Sequence, residues 1–213
     1  MAARRQQILD AVIDLFSRRG FNGTTTREIA KAAGVAEALI FRHFARKEDL
    51  YAAILQQGAH RGDTRQWLPD LRSLAERGDD HGLLTTLFRQ LIAQHDHAHD
   101  FLRLMLYSAL EEHALTQMFY QEQIEPLQQF LLAYITKRQR DGVFRACDAP
   151  GAVRAILALP SHHVLVTRLL RSSAWPVDDQ AAVATFADFV LGGLLTRRQR
   201  RARPRDRHRK GKR

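Results

Sequence analysis

Residues Thr24 to Leu50 read TTTREIAKAAGVAEALIFRHFARKEDL, and the order of small, apolar and charged residues in this stretch decides how the chain folds around it. Thr25 followed three positions later by Glu28 is a capping box, in which each side chain satisfies the other's free backbone amide, so a helix starts here. It runs through Ile29 and Ala30 to Ala33, where Gly34 permits the positive φ that breaks it. Ala36 to Phe44 form the next short helix. Alanines at 30, 32 and 33 let the two approach closely, and Val35 plugs the angle between them. A second helix held out in this way fits the major groove of a duplex, its first turn nearest the base edges. Ala36, Glu37, Ala38 and Arg42 then face the groove, while Leu39, Ile40 and Phe44 anchor the helix from beneath.

Working outward, Ile8, Leu9, Val12, Ile13 and Phe16 mark one face of a preceding helix, and Gly20 stands where a left-handed cap would end it. Lys47 begins a fourth helix with Leu50, Ile54 and Leu55 inward. Apolar residues continue to recur at three- and four-residue spacing, and almost nothing alternates with period two, so the whole chain reads as all-α. Longer amphipathic helices are expected at 66–76, 82–96, 100–113, 116–140, 149–171 and 178–195, with Pro126 and Pro160 kinking two of them. The expected domains are 1–50, 51–196 and a basic tail, 197–213, that has too little apolar content to fold by itself.

The net charge of +10 is unevenly placed. Eleven of the 33 Lys and Arg residues but only one of the 23 acids lie in 197–213, so the tail carries the whole excess and the body is neutral. The first fifty residues hold nine bases against six acids. In the tail, this charge suits phosphate neutralisation or simple solubility. A single cysteine, Cys147, excludes an internal disulfide and any multi-cysteine metal site, and fits a reducing cytoplasm. No signal peptide and no membrane span is expected. There is no glycine loop to cradle phosphate, no nucleophile elbow and no suggestive pair of acids, so an enzyme is not expected.

Thr25, Ile29-Ala30, Ala33-Gly34-Val35, Phe41-Arg42-His43-Phe44 and Lys47-Glu48-Asp49-Leu50, in this order, resemble the DNA-binding domain of the tetracycline-repressor (TetR) family. The resemblance covers about the first fifty residues. It implies phosphate contacts from Thr26, Arg27, His43 and Lys47, and base readout by Ala36, Glu37, Ala38 and Arg42. Glu37 suits either a base contact or the positive end of the helix dipole. Three positions depart from the pattern. Ala36 replaces a capping Ser or Thr, Phe41 replaces a frequent Tyr in the contact set, and Arg46 stands where a small cap is common.

The resemblance further implies a homodimeric repressor, released from a palindromic operator when a small molecule enters a chamber within helices five to seven, with helix four as the coupling rod. It brings a small-molecule effector and no cofactor. Trp67, His95, Met105 and Tyr107 offer both apolar bulk and a polar or polarisable tip in that region, as do Ser108, Met118, Tyr120 and Tyr134, although each also suits plain core packing. For the dimer, Val164 and Arg168 would meet a last helix carrying Phe186, Phe189, Val190 and Leu194, where Gly192 and Gly193 let another backbone come close. His95, His97 and His99 suggest an alternative, a metal-responsive regulator, because His95 and His99 share a helical face.

Overall fold

The computed structural model describes residues 2–50, 52–54, 64–94, 99–112, 114–172, 174, 176–196 and 199. The all-helical expectation holds, and among the described residues the only β pairing is a single bridge between Phe144 and Leu195. The N-terminal group comprises α1 (Ala2–Arg19), α2 (Thr26–Ala32) and α3 (Glu37–His43), followed by α4 at residues 47–50 and 52–54. The larger C-terminal group comprises α5 (Thr64–Glu76), α6 (Asp80–Ala93), α7 (His99–Leu110), α8 (Ala114–Phe119), α9 (Glu125–Arg140), α10 (Ala149–Val164) and α11 (Asp179–Leu194).

Each group has its own core. Ile8, Leu9, Val12 and Phe16 of α1 fall on one face and are buried against Ile29, Ile40, Leu50 and Ile54. Leu104 of α7 is buried in the same cluster, so the C-terminal group reaches into the N-terminal core. The second core stacks Trp67 and Leu71 on Leu83, Leu87 and Phe88, with Leu131, Ile156, Val183 and Leu191 closing around them. Helix α6 lies along α11 at its centre.

Aspartates start three of the long helices. Asp79, Asp148 and Asp178 each accept a hydrogen bond from the amide three residues on, at 2.8, 2.8 and 2.9 Å, which satisfies one of the donors a helix start leaves free. At the far end of the bundle, Arg138 donates to both oxygens of Asp80 at 2.7 and 2.6 Å, and the Tyr134 hydroxyl donates to the same carboxylate. Burial, reinforced by that carboxylate, pushes the Tyr134 phenol far above its ordinary value.

The two long helices expected across proline are interrupted. Residues 116–140 divide into α8, a π-helical turn at Tyr120–Ile124 and α9, in which Pro126 sits in the first turn, where its missing amide costs nothing. Pro160 stays buried inside α10, and the helix loosens to a π turn at Leu165–Leu169. Glu112 and Arg171 take the left-handed backbone conformation after α7 and after this turn, at φ 52° and 50°. Non-glycine caps of this kind leave no sequence signal, which is why both ends were expected elsewhere. His95 and His97 lie outside the described residues, as does nearly all of 197–213.

Candidate nucleic-acid interface

The capping box expected from Thr25 and Glu28 is present. The Glu28 amide donates to Thr25 Oγ1 at 3.2 Å, and Glu28 Oε2 accepts from the Thr25 amide at 2.9 Å. These bonds to Thr25, with Arg19 alongside, hold the exposed Glu28 carboxyl below its ordinary value. Gly34 has φ 61°, and the Val35 amide returns to Ala30 O at 3.0 Å, closing the turn.

Helix α3 is fixed from below and open above. Ile40 and Phe44 are buried and Leu39 is half-buried, whereas Ala36, Ala38, Phe41 and Arg42 are exposed along the outer face. Ala36 makes no side-chain capping bond, as its methyl group dictates. Arg5 near the start of α1 lies over the Phe44 ring, 5.4 Å from its centroid, a support the sequence reading missed. Arg27 is exposed, and His43 is half-buried with its ring beside Phe44. The Thr26 hydroxyl donates to Glu37 Oε1 at 2.6 Å and so links the start of α2 to the start of α3. Arg27, Lys31, Val35 and Glu37 line an open concavity of about 500 Å³ between these helices.

Lys47 is placed differently from the surface phosphate contact expected of it. Its ammonium lies 3.9 Å from the centroid of the Phe21 ring and donates to Phe21 O, and its burial lowers its pKa. Asp49, in the first turn of α4, accepts from the amide of Arg46, which precedes the helix, at 2.9 Å.

A further contact, missed by the sequence reading, joins the two groups of helices. Arg103 and Tyr107 lie at four-residue spacing along one side of α7, and Glu111 follows four residues on, just past its end. Arg103 Nε donates to Ser17 O at 3.1 Å, Tyr107 donates to Arg18 O at 3.4 Å, and Glu111 Oε2 accepts from the Phe21 amide at 3.1 Å. The first two occupy carbonyls that the end of α1 leaves without helical partners.

Residues 8–54 match the family described as bacterial regulatory proteins, tetR family. Those residues, the N-terminal reading head, are what the chain shares with the tetR family. Over 57 residues it is 46% identical to the uncharacterized HTH-type transcriptional regulator YvkB of Bacillus subtilis, a match spanning 27% of this chain and 30% of that protein. Over 102 residues it is 30% identical to the HTH-type transcriptional repressor AcnR of Corynebacterium diphtheriae, covering 48% of this chain and 46% of the other. The chain thus spans less than half the length of either of these curated relatives. A regulator from Saccharomonospora viridis, solved in complex with choline, superposes with a TM-score of 0.67 at 22% identity over 92% of this chain and 100% of that one. That likeness is one of fold, and it takes in the C-terminal helices as well.

Within this fold, the residues expected to line an effector chamber are dispersed. Trp67 and Tyr134 are buried in the main core. Met105 packs against the N-terminal core, Tyr107 holds the end of α1, and the buried Ser108 is four residues beyond Leu104 on the same side of α7. Tyr120 is exposed and donates to Gln128, Met118 is exposed, and His95 lies outside the described residues. On α7, Met105 and Tyr107 face α1 and take part in the joint between the helix groups, while the Ser108 hydroxyl is buried without a hydrogen-bond partner among the described residues. A separate groove of about 490 Å³ runs between α6 and α11, lined by Thr85, Arg89, Ile92, Asp179 and Val183 among others.

The expected dimer residues also divide. Val164, Val190 and Leu194 are buried in the chain's own core, Phe186 packs edge-on to Phe88 at 6.0 Å, and Arg168 donates to Asp179 at 2.5 Å. Phe189 alone of the six is largely exposed, at 75%. Helix α11 is apolar on nearly every side, so periodicity could not separate the face toward α6 from the outer one. No helix among the described residues is long and apolar enough to cross a membrane, and they contain no group of three potential metal ligands. The relatives lend no support to the metal-responsive alternative.

Proposed function

We propose that this protein is a DNA-binding transcription regulator, a repressor that leaves a roughly palindromic operator when a small molecule binds its C-terminal helices. The observation that carries this is α3: Ile40 and Phe44 hold it down while Ala36, Ala38 and Arg42 are free to meet base edges. A rigid scaffold with an unobstructed, partly cationic face is what groove readout needs. The C-terminal helices form a second core larger than DNA binding requires, which supports a sensing role. Exposed Phe189, and the open space around Gly192 and Gly193, support a homodimer built on the outer face of α11. A regulator of this kind works in the cytoplasm, where the chromosome is, and needs no cofactor.

Release follows if the effector binds best to a protein state in which the two reading heads are wrongly spaced. Lys47 of α4 and Glu111, just past the end of α7, both bond Phe21 in the loop after α1, and these two helices are the parts able to carry that difference. The test is selection of bound duplexes from a random pool. An enriched motif that is lost on Arg42→Ala supports the reading, and enrichment of nothing refutes it. Light scattering that returns a monomer at micromolar concentration would refute the dimer.

A further inference from the structure

Glu37 is the least expected residue on the reading face. A carboxylate near a phosphate backbone weakens DNA binding in general, since the dominant attraction there is between cations and phosphates. Here it is neither free to swing away nor paired with a base of its own domain: its resolved hydrogen bond is from the uncharged Thr26 hydroxyl, at 2.6 Å. It is half-buried on the wall of the concavity that Arg27 and Lys31 also line. Thr26 uses its hydroxyl proton on this bond, so the hydroxyl is committed to Glu37 and not offered to a phosphate. One carboxylate oxygen is thereby fixed, and no hydrogen bond among the described residues occupies the other.

We infer that Glu37 is the specificity filter of the operator contact, selecting cytosine, and that Thr26 is the residue that positions it. This rests on the DNA-binding reading above and deepens it. Of the four bases, cytosine presents only its N4 amino donor to the major groove, whereas the adenine amino group sits beside the N7 acceptor, which repels a carboxylate. Guanine and thymine present acceptors at the same edge and leave Glu37 desolvated against like partial charge. Discrimination therefore arises largely from rejection of wrong bases. Ala36 and Ala38 flank Glu37 with methyl groups that offer no competing polar contact, and exposed Arg42 is left to read guanine.

The experiment is selection from a random duplex pool with wild type, Glu37→Gln, Thr26→Val and Thr26→Ser, together with affinity for a duplex of unrelated sequence. Wild type should enrich one cytosine per half-site. Glu37→Gln should lose roughly ten-fold discrimination at that position, about one good side-chain-to-base contact, keep the other positions, and bind the unrelated duplex more tightly. Thr26→Val should blur the same position while Thr26→Ser restores it, a pattern that a phosphate contact, acting alike on every sequence, would not give. A wild-type motif retained unchanged in Glu37→Gln, or in Thr26→Val, overturns this inference and leaves the regulator reading intact. A wild type that enriches no motif overturns both.

Discussion

Replacing Gly20 with alanine should cost markedly more than the same change at Gly142, although the two have nearly the same backbone, at φ 71° and 70°. A left-handed alanine costs about 1 kcal/mol at either site. At Gly142 nothing lies within 4 Å of the added methyl group, so the strain stands alone. At Gly20 the methyl group overlaps Glu111 Oε1, so the carboxylate has to shift, and the shift is expected to break the bond its Oε2 accepts from the Phe21 amide at 3.1 Å. Losing a charge-assisted bond in a part-buried place adds about 2 kcal/mol, for a total of roughly 3. Equilibrium urea denaturation at one fixed protein concentration measures both variants. A cycle with Glu111→Ala apportions the loss, because Gly20→Ala in that background should cost only the strain, about 1 kcal/mol. If Gly20→Ala costs no more than Gly142→Ala, or costs as much without Glu111 as with it, the joint between α1 and α7 does not hold the N-terminal helices as described.

Three further outcomes are expected. Asp80→Asn removes the bidentate partner of a largely buried Arg138 and should destabilise the chain by about 3 kcal/mol in the same assay, the loss typical of a broken buried ion pair. Glu28 has its carboxyl held below the ordinary value in the folded chain, so its contribution is complete above that value and fades as pH falls through the lowered one; Glu28→Gln should therefore flatten the acid limb of a stability-against-pH curve below about pH 5. Ending the chain at Thr196 removes eleven bases and one acid, and should reduce the slope of log affinity against log salt by about 0.9 for each phosphate the tail neutralises, with operator choice unchanged.

The reading head was legible because its geometry is set by residues close in sequence. The capping box spans three residues, and the Gly34 turn is closed by a bond from Val35 to Ala30. The bonds that redirect Lys47 and Glu111 span 26 and 90 residues, and no local pattern foretells them. A lysine at the start of a helix is a reasonable phosphate ligand until two phenylalanines, Phe16 and Phe21, are folded against it. The row of Arg103, Tyr107 and Glu111 was visible as three polar residues at four-residue spacing along and just past a largely apolar helix, and could have marked a joint. Apolar residues of α10 and α11 declare that they are buried but not against what, which is why Val164 and Val190 turned out to serve their own core.

These long-range bonds converge on one residue. Phe21 has its amide held by Glu111, just past the end of α7, and its carbonyl held by Lys47 of α4, while its ring packs edge-on to Phe16 of α1 at 5.6 Å. Two helices from different parts of the chain thus grip opposite polar groups of a single loop residue, three positions before the buried Thr24 that leads into α2. A shift of α7 against α4 pulls on both polar groups of Phe21 through the Glu111 and Lys47 side chains. Whatever those side chains do not take up turns the peptide groups there, and with them the start of the helix that carries Thr26.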